Sequence, residues 1–120
     1  SRGASQVIFN ENYPLALEIL RKNIYNLKCE YKCKINNHDC FSMSQLKNMN
    51  DKQFDIIFMD PPFAEKKIYN LLENIKKLSI LKKNGVIVLH RHKKEIDTLP
   101  KDFNILDERI YGLSKIIFGN

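Results

Sequence analysis

A carboxylate, two prolines and an aromatic ring stand in succession at Asp60-Pro61-Pro62-Phe63. Proline fixes φ and carries no backbone N–H, and a residue before proline is held extended, so the stretch reads as a stiff loop rich in acceptors, whose carbonyls lack local donors. A carboxylate beside the Pro61 carbonyl can accept both hydrogens of an exocyclic amino group, and Phe63 offers a flat apolar face on which a base can stack. An amino-bearing nucleobase fits that chemistry. The ordinary alternative is a strand terminated by prolines, with Phe63 returning to the core.

Two further carboxylates follow strand-like runs: Glu11 after residues 6–9, and Asp39 after a weaker run through Asn36-Asn37-His38. Ligands of open parallel sheets bind outside the carboxyl ends of the strands, so Glu11, Asp39 and Asp60 are expected on one rim. Asp and Asn also favour turns and helix caps, and Asp39 taken alone reads as a turn residue. Lys66-Lys67 follow the Asp60 loop and Arg91-His92-Lys93-Lys94 follow the run 86–89, which predicts a positive border able to contact phosphates. Lys76-Lys77 and Lys82-Lys83, at or after a helix end, read as solvated. His90 and His92 face the same way on a strand end, and without a third ligand nearby they read as surface or substrate-facing groups.

These residues need elements to carry them. Residues 6–9 read as a buried strand, and Pro14 suits a first helical position after Asn12 or Tyr13. Ala16, Ile19, Leu20, Asn23, Ile24 and Leu27 then recur at helical spacing, which predicts one buried face. A weaker strand covers 31–37, a polar connector 44–53, and the continuous apolar strand Phe54–Met59 is expected to be covered on both faces. Ile68, Leu71, Leu72, Ile75 and Leu78 mark a second helix, Asn84-Gly85 a turn, and 86–89 another buried strand. The end differs: 103–110 and 113–118 are strand-like and separated by Tyr111-Gly112, which predicts an antiparallel hairpin on a sheet edge. Alternating strands and helices give an α/β fold with a mostly parallel sheet ending in that hairpin.

The chain has 120 residues, one small domain by size, with 43% hydrophobic and 28% charged residues, enough for a core without metal or disulfide staples. No apolar run approaches a membrane span and no secretory signal opens the chain, so the cytoplasm is the expected compartment. Cys29, Cys33 and Cys40 match neither a zinc frame nor a disulfide framework, which predicts reduced, structural thiols and no metal. The net charge of +6 favours a polyanionic partner, although a composition rich in Lys, Ile and Asn accounts for part of it.

The motif Asp60-Pro61-Pro62-Phe63 behind Phe54–Met59 resembles the catalytic motif of S-adenosylmethionine-dependent amino-methyltransferases. Ser1-Arg2-Gly3-Ala4, Val7-Ile8-Phe9-Asn10-Glu11, the helix from Ala16 to Asn23, Asp39, Tyr111-Gly112 and Ile116-Ile117-Phe118 resemble in order the RsmD-like family, over nearly the whole chain. The resemblance implies a Rossmann-like class I methyltransferase fold, S-adenosylmethionine as methyl donor, and the exocyclic N2 of a guanine in small-subunit ribosomal RNA as acceptor. It makes Asp60, Pro61, Pro62 and Phe63 catalytic. Glu11 with Asn12 would take the cofactor ribose, Asp39 with Cys40 its adenine, and Asp60 would border the cofactor. Lys66, Lys67, Arg91, Lys93 and Lys94 would contact RNA. In the family, Ser-Arg-Gly-Ala follows a first strand and glycine-rich loop, so this chain is expected to be a partial methyltransferase domain lacking them, with unpaired ladder edges. An adenine-N6 methyltransferase of DNA or RNA shares the loop, and a non-catalytic RNA-binding remnant is the third reading.

Overall fold

The computed structural model describes residues 2–49, 51–62 and 64–120. The chain divides into two compact units, Ser1–Leu46 and Lys47–Asn120.

In the first unit, β1 (Val7–Asn10) pairs in parallel with β2 (Cys33–Asn36), from Val7 opposite Cys33 to Asn10 opposite Asn36. Parallel neighbours need a crossover, and α1 (Pro14–Asn26) supplies it. Pro14 opens the helix, where its missing N–H has no partner to lose. Leu17 and Ile24, two turns apart, are the buried residues of α1. Ile19 and Leu27, expected inside, are 60% and 75% exposed. Leu17 is buried in their place, so the buried stripe lies about 80° round the helix from the centre of the expected face. The strand expected over 31–37 is shorter because a 3-10 turn, Glu30–Lys32, takes its first part. The short helix α2 (Met43–Leu46) overlaps the start of the expected connector and buries Leu46.

The second unit contains β3 (Phe54–Met59), α3 (Ile68–Lys77), β4 (Leu81–His92), β5 (Ile105–Tyr111) and β6 (Ser114–Gly119). Its sheet has the order β3-β4-β6-β5. β3 and β4 are parallel across α3, and β6 runs antiparallel to both β4 and β5. Helix α3 buries Ile68, Leu71, Leu72 and Ile75 at the expected helical spacing. On β4 the buried residues alternate, Ile87, Leu89 and Arg91, as a strand's two-residue period requires.

Three expectations change. Asn84-Gly85 does not separate two elements but lies within β4, where Phe54 faces Leu81 yet Ile56 faces Val86. The positive φ of Asn84, 66°, accommodates this irregularity, so the turn signal marks a bulge. Strand β3 is not covered on both faces: Ile56 and Phe58 are 67% and 63% exposed. A continuous apolar run makes both faces fit for covering, but β3 is the end strand of its sheet and one face lacks a covering layer among the described residues. The hairpin turn is Gly112-Leu113, one residue later than expected, because Tyr111 pairs with Ser114. Gly112 has φ of 57°, where the absence of a Cβ matters.

Candidate active site

Asp60 is the first residue after β3, and the parallel register places it beside His90, since Met59 pairs with Leu89. Its Oδ1 lies 2.8 Å from His90 Nδ1. The other ring nitrogen, Nε2, lies 2.9 Å from Ser114 Oγ on β6. An ionised carboxylate can only accept, so Nδ1 carries the proton in that pair. The Asp60 side chain is 56% exposed. Its second oxygen, Oδ2, accepts no hydrogen bond from a described residue, and neither does the Pro61 carbonyl. A pair of open acceptors therefore stands at the start of the loop, as the motif predicts. Phe63 lies outside the described residues.

The Pro62 carbonyl departs from the expectation of unpartnered carbonyls. It accepts from Glu65 N at 2.9 Å and from Arg91 Nη1 at 3.0 Å. Arg91 also donates to the Glu65 carbonyl at 2.9 Å and forms a bidentate pair with Asp97, Nε to Oδ2 at 2.8 Å and Nη2 to Oδ1 at 3.0 Å. Arg91 is fully buried, and Asp97 is 9% exposed. Arg91 was expected at an RNA-facing border; its guanidinium instead lies inside the unit and clamps the segment after Asp60. The physical reason is the alternation along β4, which turns Arg91 to the same side as Ile87 and Leu89. Asp97 supplies the counter-charge that makes that burial tolerable.

The lysines remain outside. Lys66, Lys67, Lys93 and Lys94 are exposed. Lys66 Nζ meets Glu95 Oε2 at 3.1 Å, so the two basic segments are tied together. Glu65 Oε1 accepts from the backbone N–H of Lys66 and Lys67, both at 2.9 Å, which fixes the path into α3. His92 Nδ1 accepts from Lys94 N at 3.1 Å.

In the first unit, the parallel ladder brings Glu11 and the 37–40 segment to one end, where Glu11 N donates to the Asn36 carbonyl at 3.1 Å. Glu11 Oε1 accepts from the backbone N–H of Asn12 at 3.0 Å and Tyr13 at 2.9 Å, which fixes the turn that leads into α1. Asp39 Oδ1 accepts from Phe41 N at 2.9 Å, the turn role that its sequence alone suggests. Each carboxylate keeps a second oxygen that accepts nothing from described residues. Beside Asp39, the buried His38 Nδ1 has no hydrogen-bond partner among the described residues. Elsewhere in this unit, a cleft of about 270 Å³ is lined by Arg21, Ile24, Glu30, Cys33 and Ile35. Cys33 begins β2, so the cleft reaches the end of the ladder opposite Glu11. The cysteines are free thiols. Cys29 and Cys33 approach to 3.8 Å, and burial, with the neighbouring Cys29, pushes the Cys33 thiol up, towards its unreactive neutral form.

The strand–helix–strand unit with an acidic loop after β3 and a closing antiparallel hairpin defines the class I methyltransferase fold. Solved structures agree: a conserved hypothetical protein from Streptococcus pyogenes superposes with a TM-score of 0.81 at 27% identity, covering 99% of this chain and 74% of that one. An SAH-bound methyltransferase of Podospora anserina shares the fold at a TM-score of 0.69 and 12% identity, covering 94% and 59%. The family described as "Conserved hypothetical protein 95" matches residues 1–120. The chain belongs to that family, the RsmD-like one. It is 36% identical over 101 residues to the ribosomal RNA small subunit methyltransferase D of Buchnera aphidicola, covering 78% of this chain and 51% of the relative. To the protein of the same name in Haemophilus influenzae it is 33% identical over 119 residues, covering 94% and 58%. The chain thus spans about half the length of these relatives. Among the described residues no helix is long and apolar enough to cross a membrane.

The residues present fit a nucleoside cofactor in their chemistry. Ribose hydroxyls and an adenine amino group are donors, and Glu11 and Asp39 each keep an acceptor oxygen. The unpartnered His38 Nδ1 is a buried polar atom of the kind a bound molecule would satisfy. Sequence reasoning missed the Asp97 counter-ion and the links from His90 to Asp60 and Ser114. The His90/His92 spacing drew attention to the right strand, but partner identity depends on sheet register.

Proposed function

We propose that this chain acts in transfer of a methyl group from S-adenosylmethionine to the exocyclic N2 of a guanine in small-subunit ribosomal RNA. The observation that carries the reading is Asp60: one oxygen held by His90, the other open, beside an open Pro61 carbonyl. When bound, the cofactor supplies an electrophilic methyl on a sulfonium. Glu11 and Asp39 would hold its ribose and adenine through their second oxygens. Asp60 Oδ2 and the Pro61 carbonyl receive the two amino hydrogens, which turns the nitrogen lone pair away from the loop. Such orientation can supply about 7–11 kcal/mol of a displacement barrier. Asp60 Oδ2 would also take the proton that the methylated amine sheds. Phe63 is assigned by its sequence position to stack on the base, which partly offsets the few kcal/mol of unstacking it. Lys66, Lys67, Lys93 and Lys94 contact phosphates and set the RNA's register.

The test is incubation of the chain with methyl-labelled S-adenosylmethionine and small-subunit ribosomal RNA, followed by digestion to nucleosides. Label in N2-methylguanosine supports the reading. Label in N6-methyladenosine replaces it with the adenine-directed alternative. Absence of label, together with salt-sensitive RNA binding, points to the non-catalytic one.

A further inference from the structure

We infer that His90 is the positioning residue of the Asp60 carboxylate, with Ser114 anchoring the ring from its far side. The inference rests on the methyl-transfer reading only in taking Asp60 as the group that receives the amino substrate. Asp60 begins an exposed loop, and an aspartate side chain there has free rotation about two bonds. His90 removes that freedom. It projects from β4, which is paired on both sides, by β3 and β6, and its side chain is 23% exposed against 56% for Asp60. The 2.8 Å contact occupies Oδ1, while Oδ2 accepts no hydrogen bond from a described residue.

Ser114 makes the arrangement tolerant of charge. With Nδ1–H committed to Asp60, Nε2 accepts from the Ser114 hydroxyl when the ring is neutral and donates to it when the ring is protonated. The hydroxyl can reverse its role, so the carboxylate stays held in both states. Arg91, the next residue, clamps Pro62 and Glu65. Adjacent residues of β4 thus hold the side chain and the backbone of one loop, from opposite faces of the strand.

The first test reads the contact without any catalysis. In the 120-residue chain carrying ¹⁵N-histidine, nitrogen-proton correlation at about pH 9, where an ordinary imidazole is neutral, should show His90 protonated on Nδ1. Asp60→Ala should redistribute that proton towards Nε2. A wild-type ring protonated on Nε2, or a spectrum indifferent to Asp60→Ala, overturns the inference. The second test uses methyl transfer. His90→Ala should lower kcat about 10- to 100-fold, with KM for S-adenosylmethionine within threefold. His90→Asn, whose amide nitrogen can replace Nδ1, should recover most of kcat, whereas His90→Gln, which can reach Ser114 but not Asp60 in the same way, should not. Equal activity of all three variants with wild type overturns the inference. If the wild-type chain transfers no methyl group, the proposed function fails, and the ring spectrum still decides the role of His90.

Discussion

Replacing Asp97 with asparagine should destabilise the second unit by about 3 kcal/mol. The Arg91 guanidinium is fully buried and Asp97 is 9% exposed, so neither charge is rescued by water when the other is lost. Removing one partner of such a pair costs about 3–5 kcal/mol. Asparagine keeps one acceptor oxygen, and Glu95 Oε2 remains 3.9 Å from Arg91 Nη2, so the lower end of that range applies. For a unit of this size, with a total stability of roughly 4–11 kcal/mol, the loss is severe. Urea unfolding followed by circular dichroism measures it: with an m-value of about 1.5 kcal/mol/M, the midpoint should fall by about 2 M. Asp55→Asn is the control, because Asp55 pairs with Lys82 at 3.1 Å but is 79% exposed. That surface pair should contribute under about 1 kcal/mol and less at high salt. Equal midpoint shifts for the two variants would refute the argument from burial.

Asp60→Ala should abolish methyl transfer while calorimetric affinity for S-adenosylmethionine stays within a few-fold; lost binding would move Asp60 to a cofactor role. Glu11→Ala should remove cofactor binding in the same titration and, through loss of its hydrogen bonds from the Asn12 and Tyr13 backbone, cost about 1 kcal/mol of stability in urea unfolding. Replacing Lys67 and Lys93 with alanine should weaken RNA binding and flatten the dependence of log affinity on log salt by about 1.5, measured by fluorescence anisotropy; an unchanged slope would place the RNA elsewhere. Gly119→Ala should lower thermal stability by about 1–3 kcal/mol, because an added Cβ meets the Phe103 ring and the Asn104 carbonyl.

The legible parts are those governed by local pattern. Strand β3 and the face of α3 follow directly from consecutive or helically spaced apolar residues, and Gly112 announces a tight turn within one residue of its place. In α1 the apolar residues surround too much of the helix to single out a stripe, so Leu17 rather than Ile19 is buried. Arg91 misleads for another reason. A charged residue next to histidine and lysines reads as surface, and only the return of Asp97 after a turn makes its inward position possible. Asp60 is singled out as a candidate by the two prolines that follow it. Its link to His90, thirty residues away, depends on which strand lies beside β3 and in what register.

The position of β3 at the end of its sheet bears on how the protein behaves in solution. An end strand offers a ladder of backbone donors and acceptors to any second chain, and Ile56 and Phe58 add an oily strip beside that ladder. Along Phe54–Met59, Asp55 is the one ionisable side chain, and it is held by Lys82. A charged side chain on an edge strand is one of the devices that discourage edge-to-edge pairing with a second copy. Retention of Asp55 should therefore favour the dispersed state over fibrous or amorphous aggregates.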